Sequence, residues 1–244
     1  MPPRTRPAGG ATAPFDVTGF SPVPGLTLAT HGAEHRPHAA LALLDTLTAA
    51  LPGEAPDTPG IRLHARPALA ALLAATTPIG RIAADRLGPS ARPVRTILFD
   101  KTPGTNWSLG WHQDRTIAVR ARHDIAGFGP WSIKAGIQHV EPPFAVIAAM
   151  ITLRIHLDDV PPDNAPLLVA PGSHRLGRIA EAAIEATVER CGTAACLASR
   201  GDIWAYATPI LHASAASTGH AHRRVLQVDY AATPLTPPLE WLGV

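Results

Sequence analysis

The sequence predicts a mainly β domain with flanking helices, built as an antiparallel barrel or jelly roll. From about residue 92 onward, short apolar runs alternate with turn signals, a pattern typical of such folds. Two helical stretches precede this region. The 20 glycines and 26 prolines are nearly a fifth of the 244 residues, which predicts short elements and many loops.

The N-terminal part divides into an arm and two helical segments. Residues 1–36 are rich in Pro and Gly and predict a loosely structured arm with one short strand at residues 26–29. A helix is predicted at residues 38–51, where leucines recur every three or four positions. A second helical stretch, residues 67–87, is interrupted by Pro78.

The remainder carries the strands. A helix at residues 178–189 interrupts them, and residues 37–232 contain no internal repeat or linker. We therefore expect one jelly-roll domain over residues 37–244, braced by the N-terminal helices. The candidate strands are residues 94–99, 116–119, 150–157, 166–169, 194–199, 202–206, 210–212 and 225–230.

Composition excludes several functional classes. Hydrophobic residues make up 46% and charged residues 16%, which argues against disorder and against a coiled coil. The formal charge of +2 gives no electrostatic reason to expect nucleic acid or an anionic membrane as a partner. No apolar run is long enough for a transmembrane helix, and the N-terminus does not resemble a secretory signal. We expect a cytoplasmic protein, a monomer or homodimer, with a small-molecule substrate.

The sharpest local signal is the tetrapeptide WHQD at residues 111–114. In a strand, His112 and Asp114 would share one face, with their Cα atoms about 7 Å apart. With a second histidine they would form a two-histidine, one-carboxylate set. That set leaves coordination positions open and suits Fe(II).

His212 is the candidate for the second histidine. It closes the strand-like run at residues 208–211, and Arg223 follows eleven residues later. We expect His212 and Arg223 on adjacent antiparallel strands, where the Arg223 guanidinium could grip a carboxylate near the metal. Ser214 lies on the same predicted face and could donate a hydrogen bond to that carboxylate.

Around these residues the sequence resembles the phytanoyl-CoA dioxygenase family of Fe(II)/2-oxoglutarate oxygenases. The resemblance covers roughly residues 94–231, in the order of the family's motifs. The matching segments are FDKTP at 99–103, WHQD at 111–114, LRIHLDD at 153–159, NAPLLVAPGSHRLGRI at 164–179, GDIW at 201–204 and LHAS…RRVLQVDYA at 211–231.

The resemblance implies a double-stranded β-helix, the jelly-roll or cupin-like barrel, and it implies roles for specific residues. It makes His112, Asp114 and His212 the ligands of Fe(II). It assigns Arg223, helped by Ser214, to the distal carboxylate of 2-oxoglutarate, with Lys101 and Thr152 beside this co-substrate. Strand alternation turns Arg224 away from the site.

The implied activity is that of a dioxygenase that uses O2 and releases succinate and CO2. Halogenating relatives replace the metal-binding carboxylate with a small residue. The presence of Asp114 therefore favours hydroxylation, or else desaturation, epimerisation or cyclisation. The resemblance suggests a biosynthetic role on an amino acid derivative or a natural-product intermediate.

The substrate pocket is predicted from the polar segment that follows the first metal motif. Its polarity favours a small polar or anionic substrate. On strand 150–157, Arg154 shares a face with Thr152 and could reach into the barrel. The candidate pocket residues are Arg115, Trp131, Lys134, His139 and Arg154.

Two alternatives remain open at this point. One is a cupin-type metal enzyme that does not use 2-oxoglutarate, and the other is a non-catalytic barrel that binds a small ligand. Arg223 argues against the first, since such an enzyme needs no clamp for a distal carboxylate. The intact set of His112, Asp114 and His212 argues against the second.

Overall fold

The computed structural model describes residues 6–7, 18–22, 38–51, 60–102, 104–218 and 221–244. The strand predicted at residues 26–29, and most of the predicted arm, lie outside these residues. The helices are α1 (His38–Ala49), α2 (Pro67–Leu72), α3 (Pro78–Leu87), α4 (Phe144–Ala148) and α5 (Ile184–Cys191). The strands are β1 (Arg6–Pro7), β2 (Phe20–Pro22), β3 (Ile61–Leu63), β4 (Arg92–Lys101), β5 (Leu109–His112), β6 (Ile117–Val119), β7 (Trp131–Lys134), β8 (Ile137–Val140), β9 (Ile151–His156), β10 (Leu167–Val169), β11 (Ala194–Cys196), β12 (Ile203–Ala207), β13 (His212–Ser214) and β14 (Arg223–Ala231).

The larger sheet has six strands in the order β2-β12-β9-β14-β4-β3. Its two faces differ in chemistry, as side-chain alternation along β14 illustrates. Leu226, Val228 and Tyr230 are fully buried and pack against the helical layer formed by α1, α2 and α3. Arg223 and Gln227 lie on the opposite face and line an internal cavity. The apolar face anchors the helices, and the polar face is left for the functional site.

The second sheet has five strands in the order β1-β11-β10-β13-β5. It packs on the larger sheet through an apolar cluster that includes Leu167 and Val169 from one sheet and Trp204 and Tyr206 from the other. Burying each of these large side chains contributes roughly 1.5–3 kcal/mol. A separate three-stranded sheet, β6-β8-β7, forms from the segment that follows Asp114.

The helical predictions are confirmed for the N-terminal part. Helix α1 occupies the predicted segment, and the second stretch divides before Pro78, as predicted. Thr77 caps the N-terminus of α3, accepting a 3.2 Å hydrogen bond from the Gly80 amide. Among the described residues, no helix is both long and apolar enough to cross a membrane.

Several element boundaries differ from prediction, and two of these differences have a clear local cause. The helix expected at residues 178–189 begins later, as a 3-10 turn over Glu181–Ala183 that leads into α5. The strand expected at residues 210–212 instead starts at His212, because residues 208–210 turn the chain from β12 into β13. Pro209 suits this turn, since it has no amide hydrogen to give to a strand ladder.

Candidate metal centre and its cavity

The three predicted metal ligands come together at one place. His112 is the last residue of β5 and His212 the first residue of β13, and the two are directly paired across these antiparallel strands. Their ring centroids are 4.3 Å apart. Asp114 lies just beyond the end of β5, so the prediction that one strand carries the whole motif is wrong. One potential ligand atom from each of the three residues lies within 4.8 Å of the others.

Both imidazoles are held in the tautomer that a metal ligand needs. Nδ1 of His112 donates a 2.8 Å hydrogen bond to the Gly110 carbonyl, and Nδ1 of His212 donates a 2.9 Å bond to the Ile210 carbonyl. A carbonyl only accepts, so the lone pair of each ring is on Nε2. Burial, and then the neighbouring His112, lower the pKa of His212 to about 4, which keeps its ring neutral.

Asp114 is kept ionised by a buried arginine. Arg95 donates a 2.8 Å hydrogen bond from Nη2 to Oδ2 of Asp114. Burial alone would raise the pKa of Asp114, but the charge and the hydrogen bond of Arg95 hold it well below its usual range. Two neutral imidazoles and one carboxylate are the donor set that non-haem Fe(II) takes in oxygenases, so the residues present fit this metal.

A second layer of hydrogen bonds fixes Arg95 in turn. Its Nε donates to Asp229, a fully buried carboxylate on β14. Thr152 donates a 2.9 Å hydrogen bond to the other oxygen of Asp229 and shares a 3.0 Å bond with Thr208. Thr152 was expected beside 2-oxoglutarate. Its hydroxyl instead lies behind the metal centre, where it supports Asp229, and it does not line the cavity.

The three residues open onto a cavity of about 440 Å³ between the two large sheets. Arg223 lines this cavity and is 2% exposed. It donates to the Ala165 carbonyl, while its Nε has no hydrogen-bond partner among the described residues. Burial, together with the charge of Arg154, lowers the pKa of Arg223 to about 9. A carboxylate placed here would supply the missing acceptor and the missing negative charge.

Lys101 and Ser214 form the surroundings of Arg223. Lys101 is paired with Arg223 across β4 and β14, and it is fully buried. Its Nζ donates to the Ala215 carbonyl at 2.7 Å and to Oγ of Ser214 at 3.3 Å. Burial, and then Arg223, lower the pKa of Lys101 to about 7. Ser214 lines the cavity, whereas Lys101 stands behind it.

One expected relation between the elements is wrong. His212 and Arg223 were expected on adjacent strands, but β13 and β14 belong to different sheets. The two residues instead face one cavity from its two walls. Arg224 points away from this cavity, as strand alternation predicts, and forms an ion pair with Asp158 at 2.8 Å.

Of the five predicted pocket residues, the structure brings two to the cavity, Lys134 and Arg154. Arg115 instead donates to the Ile179 carbonyl. Trp131 lies on the opposite face of β7 from Lys134, because side chains alternate along a strand, and it packs in a separate apolar cluster. Buried His139 donates from Nδ1 to the Ile137 carbonyl at 3.0 Å, and burial lowers its pKa to about 4.

Three charged or amide residues of the cavity were not predicted from the sequence: Arg62, Arg95 and Gln227. Arg95 shares a strand face with Lys101, three alternations along β4, and Gln227 shares one with Arg223 on β14. Alternation from the predicted residues could therefore have found both. Arg62 lies on the edge strand β3, outside every recognised motif, and only the pairing of β3 with β4 brings it to the site.

Comparison with known proteins assigns the family. The phytanoyl-CoA dioxygenase (PhyH) family matches residues 61–225, so the chain belongs to this family. A search of curated proteins finds no significant match.

Solved structures with similar folds include three with low sequence identity. EctD from S. alaskensis in its apoform is 19% identical, with a TM-score of 0.61 over 100% of this chain and 88% of that one. AviO1 from Streptomyces viridochromogenes Tue57 is 20% identical, with a TM-score of 0.55 over 92% and 94% of the two chains. HygX from Streptomyces hygroscopicus, with nickel, 2-oxoglutarate and hygromycin B bound, is 16% identical, with a TM-score of 0.56 over 91% and 86%. These similarities confirm the predicted double-stranded β-helix.

Proposed function

We propose that the protein is an Fe(II)/2-oxoglutarate-dependent dioxygenase that hydroxylates a small polar molecule. His112, Asp114 and His212 hold the iron, and Arg223 binds the distal carboxylate of 2-oxoglutarate with help from Ser214. The observation that carries this proposal is the shared cavity. A complete nitrogen and carboxylate donor set and a buried arginine with an unpaired Nε open onto the same cavity.

Family membership supports the assignment of the cofactors. The structural relative HygX binds nickel and 2-oxoglutarate in its crystal structure, and EctD from S. alaskensis has been solved with bound Fe. HygX also holds hygromycin B, and a further relative, SnoK, is a carbocyclase from nogalamycin biosynthesis. These relatives favour a small-molecule substrate for this chain, an amino acid derivative or a natural-product intermediate.

In this proposal, bound iron with 2-oxoglutarate and O2 supplies the oxidising chemistry and releases succinate and CO2. The protein supplies orientation and charge. The Gly110 and Ile210 carbonyls keep Nε2 of each histidine available to the metal. Arg95 engages one oxygen of Asp114 and so fixes how the carboxylate is presented.

Lys101 has a positioning role in the same scheme. Its bond to the Ala215 carbonyl anchors the residues that follow His212, and its bond to Ser214 orients that hydroxyl near the cavity. Thr152 and Asp229 act indirectly: Thr152 donates to Asp229, and Asp229 accepts from Arg95, which holds Asp114. We propose that residues 37–244 form a single catalytic domain in which the helices brace the larger sheet.

The test is an anaerobic titration of the metal-free protein with Fe(II) and then with 2-oxoglutarate. A chelate of 2-oxoglutarate on Fe(II) gives a weak visible metal-to-ligand charge-transfer band. We expect this band in the wild type and its loss in His212→Ala. The matched control is His64→Ala, which changes an exposed histidine that does not line the cavity and should leave the band unchanged.

The outcomes separate the alternatives. If iron binds with equal affinity to wild type and His212→Ala, the metal assignment is wrong. If iron binds at the predicted residues but the band never forms, the chain is a cupin-type metal enzyme that does not use 2-oxoglutarate. If neither ligand binds, the protein is a ligand-binding barrel without redox chemistry.

A further inference from the structure

The cavity carries more positive charge than the metal and 2-oxoglutarate require. Besides Arg95 and Arg223, its walls include Arg62, Lys134 and Arg154. Among the described residues, none of these last three forms an ion pair with a carboxylate. Buried or half-buried cations that line a cavity without a carboxylate partner are costly, so their presence points to an anionic ligand.

The charges can be matched one by one for the loaded site. Asp229 balances Arg95, and the distal carboxylate of 2-oxoglutarate balances Arg223. The two charges of Fe(II) are balanced by Asp114 and by the carboxylate of 2-oxoglutarate that lies next to its keto group. Arg62, Lys134 and Arg154 remain unmatched, so the fully loaded cavity still attracts an anion.

The sheet register shows that Arg62 is separate from the co-substrate clamp. Arg62 is opposite Ile97, and Ile97 is opposite Gln227, so these three residues form one row across β3, β4 and β14. Arg223 lies four residues from Gln227 along β14. The Cα atoms of Arg62 and Arg223 are therefore separated by two strand spacings across the sheet and by four residues along the strand direction. These two displacements give a distance of about 16 Å.

Lys134 approaches Arg62 from the small three-stranded sheet. Its ammonium group donates one 3.0 Å hydrogen bond, to Oγ1 of Thr116, which leaves two of its three hydrogens for a ligand. Nε of Arg62 is buried without a hydrogen-bond partner in the described part of the chain. Burial, together with the charge of Arg95, lowers the pKa of both residues, and for Lys134 the charge of Arg62 contributes further.

We propose that Arg62 and Lys134 form an anion-binding site for the substrate, at the side of the cavity away from Arg223. The site makes the substrate a small organic anion, bound through its anionic group while another part of it lies at the metal centre. This inference rests on the proposed function, because it names the substrate class of the same cavity.

The remaining walls describe the other part of the substrate. Phe99, Trp107 and Leu167 are apolar, and Leu109 is 48% exposed at the strand that leads to His112. Apolar walls with a few converging polar groups are typical of sites for small organic ligands. An anion with a short apolar body fits these walls better than an inorganic ion or a sugar.

The test compares charged and neutral probes of equal shape. Protein loaded with Ni(II) and 2-oxoglutarate, so that the Arg223 site is filled, is titrated calorimetrically with phenylacetate, with phenylacetamide and with phenyl phosphate. We expect phenylacetate to bind at least about tenfold more tightly than the amide, from charge-assisted hydrogen bonds. Arg62→Gln and Lys134→Gln should each remove this preference, and Arg62→Lys should restore part of it.

Arg81→Gln, an exposed arginine on α3, is the matched control and should keep the preference. Tighter binding of phenyl phosphate than of phenylacetate assigns a phosphate group to the substrate, and the reverse order assigns a carboxylate. Equal binding of phenylacetate and its amide to the wild type would overturn the proposal. So would an unchanged preference in both Arg62→Gln and Lys134→Gln.

The anaerobic Fe(II) and 2-oxoglutarate titration separates this inference from the function on which it rests. The charge-transfer band should form normally in Arg62→Gln, and its loss there would assign Arg62 to the co-substrate site and refute a separate substrate site. If the wild type lacks the band, the proposed function fails. The same probe titrations on metal-free wild type and Arg62→Gln then decide whether Arg62 binds anions.

Discussion

Replacing Arg95 by methionine should destabilise the protein more than any change of a surface charge. Arg95 is the buried cation between Asp114 and Asp229, and it bonds to both carboxylates. Removing one partner of a buried ion pair costs about 3–5 kcal/mol, because the other charge is left uncompensated. For a chain of this size each kcal/mol lowers Tm by about 2–4 °C, so we expect a loss of roughly 6–20 °C.

The assay is thermal unfolding of metal-free protein, followed by circular dichroism at several pH values. Burial already raises the pKa of Asp229 despite Arg95, and the variant should raise it further. The folded variant then holds a proton that the unfolded chain releases, so its stability should fall as pH rises above the range in which a free carboxyl group ionises. Arg120→Met is the control, since Arg120 is 66% exposed and pairs with exposed Glu240; it should cost less than about 1 kcal/mol.

A Tm loss in Arg95→Met no larger than that in Arg120→Met would refute this reasoning. A large loss of Tm in Arg95→Met without the pH dependence would mean that the variant is destabilised by lost packing and not by the uncompensated charge of Asp114 and Asp229.

Three further predictions follow from the same contacts. Arg223→Gln should weaken 2-oxoglutarate binding about 10- to 100-fold, because a charged hydrogen-bond donor is lost. Neighbouring Arg224→Gln should leave the affinity unchanged, because Arg224 pairs with Asp158. Titrations monitored by the charge-transfer band measure both affinities, and equal effects of the two variants would contradict the role of Arg223 as the carboxylate clamp. Lys101 has a folded pKa of about 7, below its value in the unfolded chain, so it makes stability rise between pH 7 and 10. Chemical denaturation at several pH values should show this rise in the free energy of unfolding for the wild type and not for Lys101→Met. If the free energies of the two proteins change in parallel with pH, the lowered pKa of Lys101 does not contribute to stability. Tyr230→Phe should lower the free energy of unfolding by about 1 kcal/mol, since the Tyr230 hydroxyl donates a 2.9 Å hydrogen bond to the Leu73 carbonyl in the core. Chemical denaturation measures this free energy. An unchanged value would mean that the hydrogen bond adds nothing to stability.

The sequence predicted the jelly-roll class and the residues of the metal centre because each produces a pattern in short segments, although His212 is distant in the chain from His112 and Asp114. Strand alternation and the WHQD motif are readable within a few residues. The sequence could not predict that His212 and Arg223 lie on strands of two different sheets. Their eleven-residue spacing fits a hairpin within one sheet as well as a crossing between two sheets, and only tertiary packing decides between them.

Charge networks were the least predictable part of the site. Thr152 was expected beside the co-substrate, but its position is decided by the buried Asp229 on a strand far along the sequence. Nothing in the sequence marked Arg62 as a cavity residue, since an arginine in a short edge strand is usually solvated. Its place in the cavity follows from its register opposite Ile97, which depends on how β3 pairs with β4.

In the proposed function, one iron ion binds between His112, Asp114 and His212, and 2-oxoglutarate reaches Arg223. The most direct measurement is an anaerobic crystal structure with Fe(II) and 2-oxoglutarate, using anomalous scattering at the iron edge. We expect one anomalous peak in contact with Nε2 of both histidines and a carboxylate oxygen of Asp114, and a co-substrate carboxylate on the Arg223 guanidinium. A peak at other residues, or a co-substrate that does not contact Arg223, would show that the proposed function is wrong.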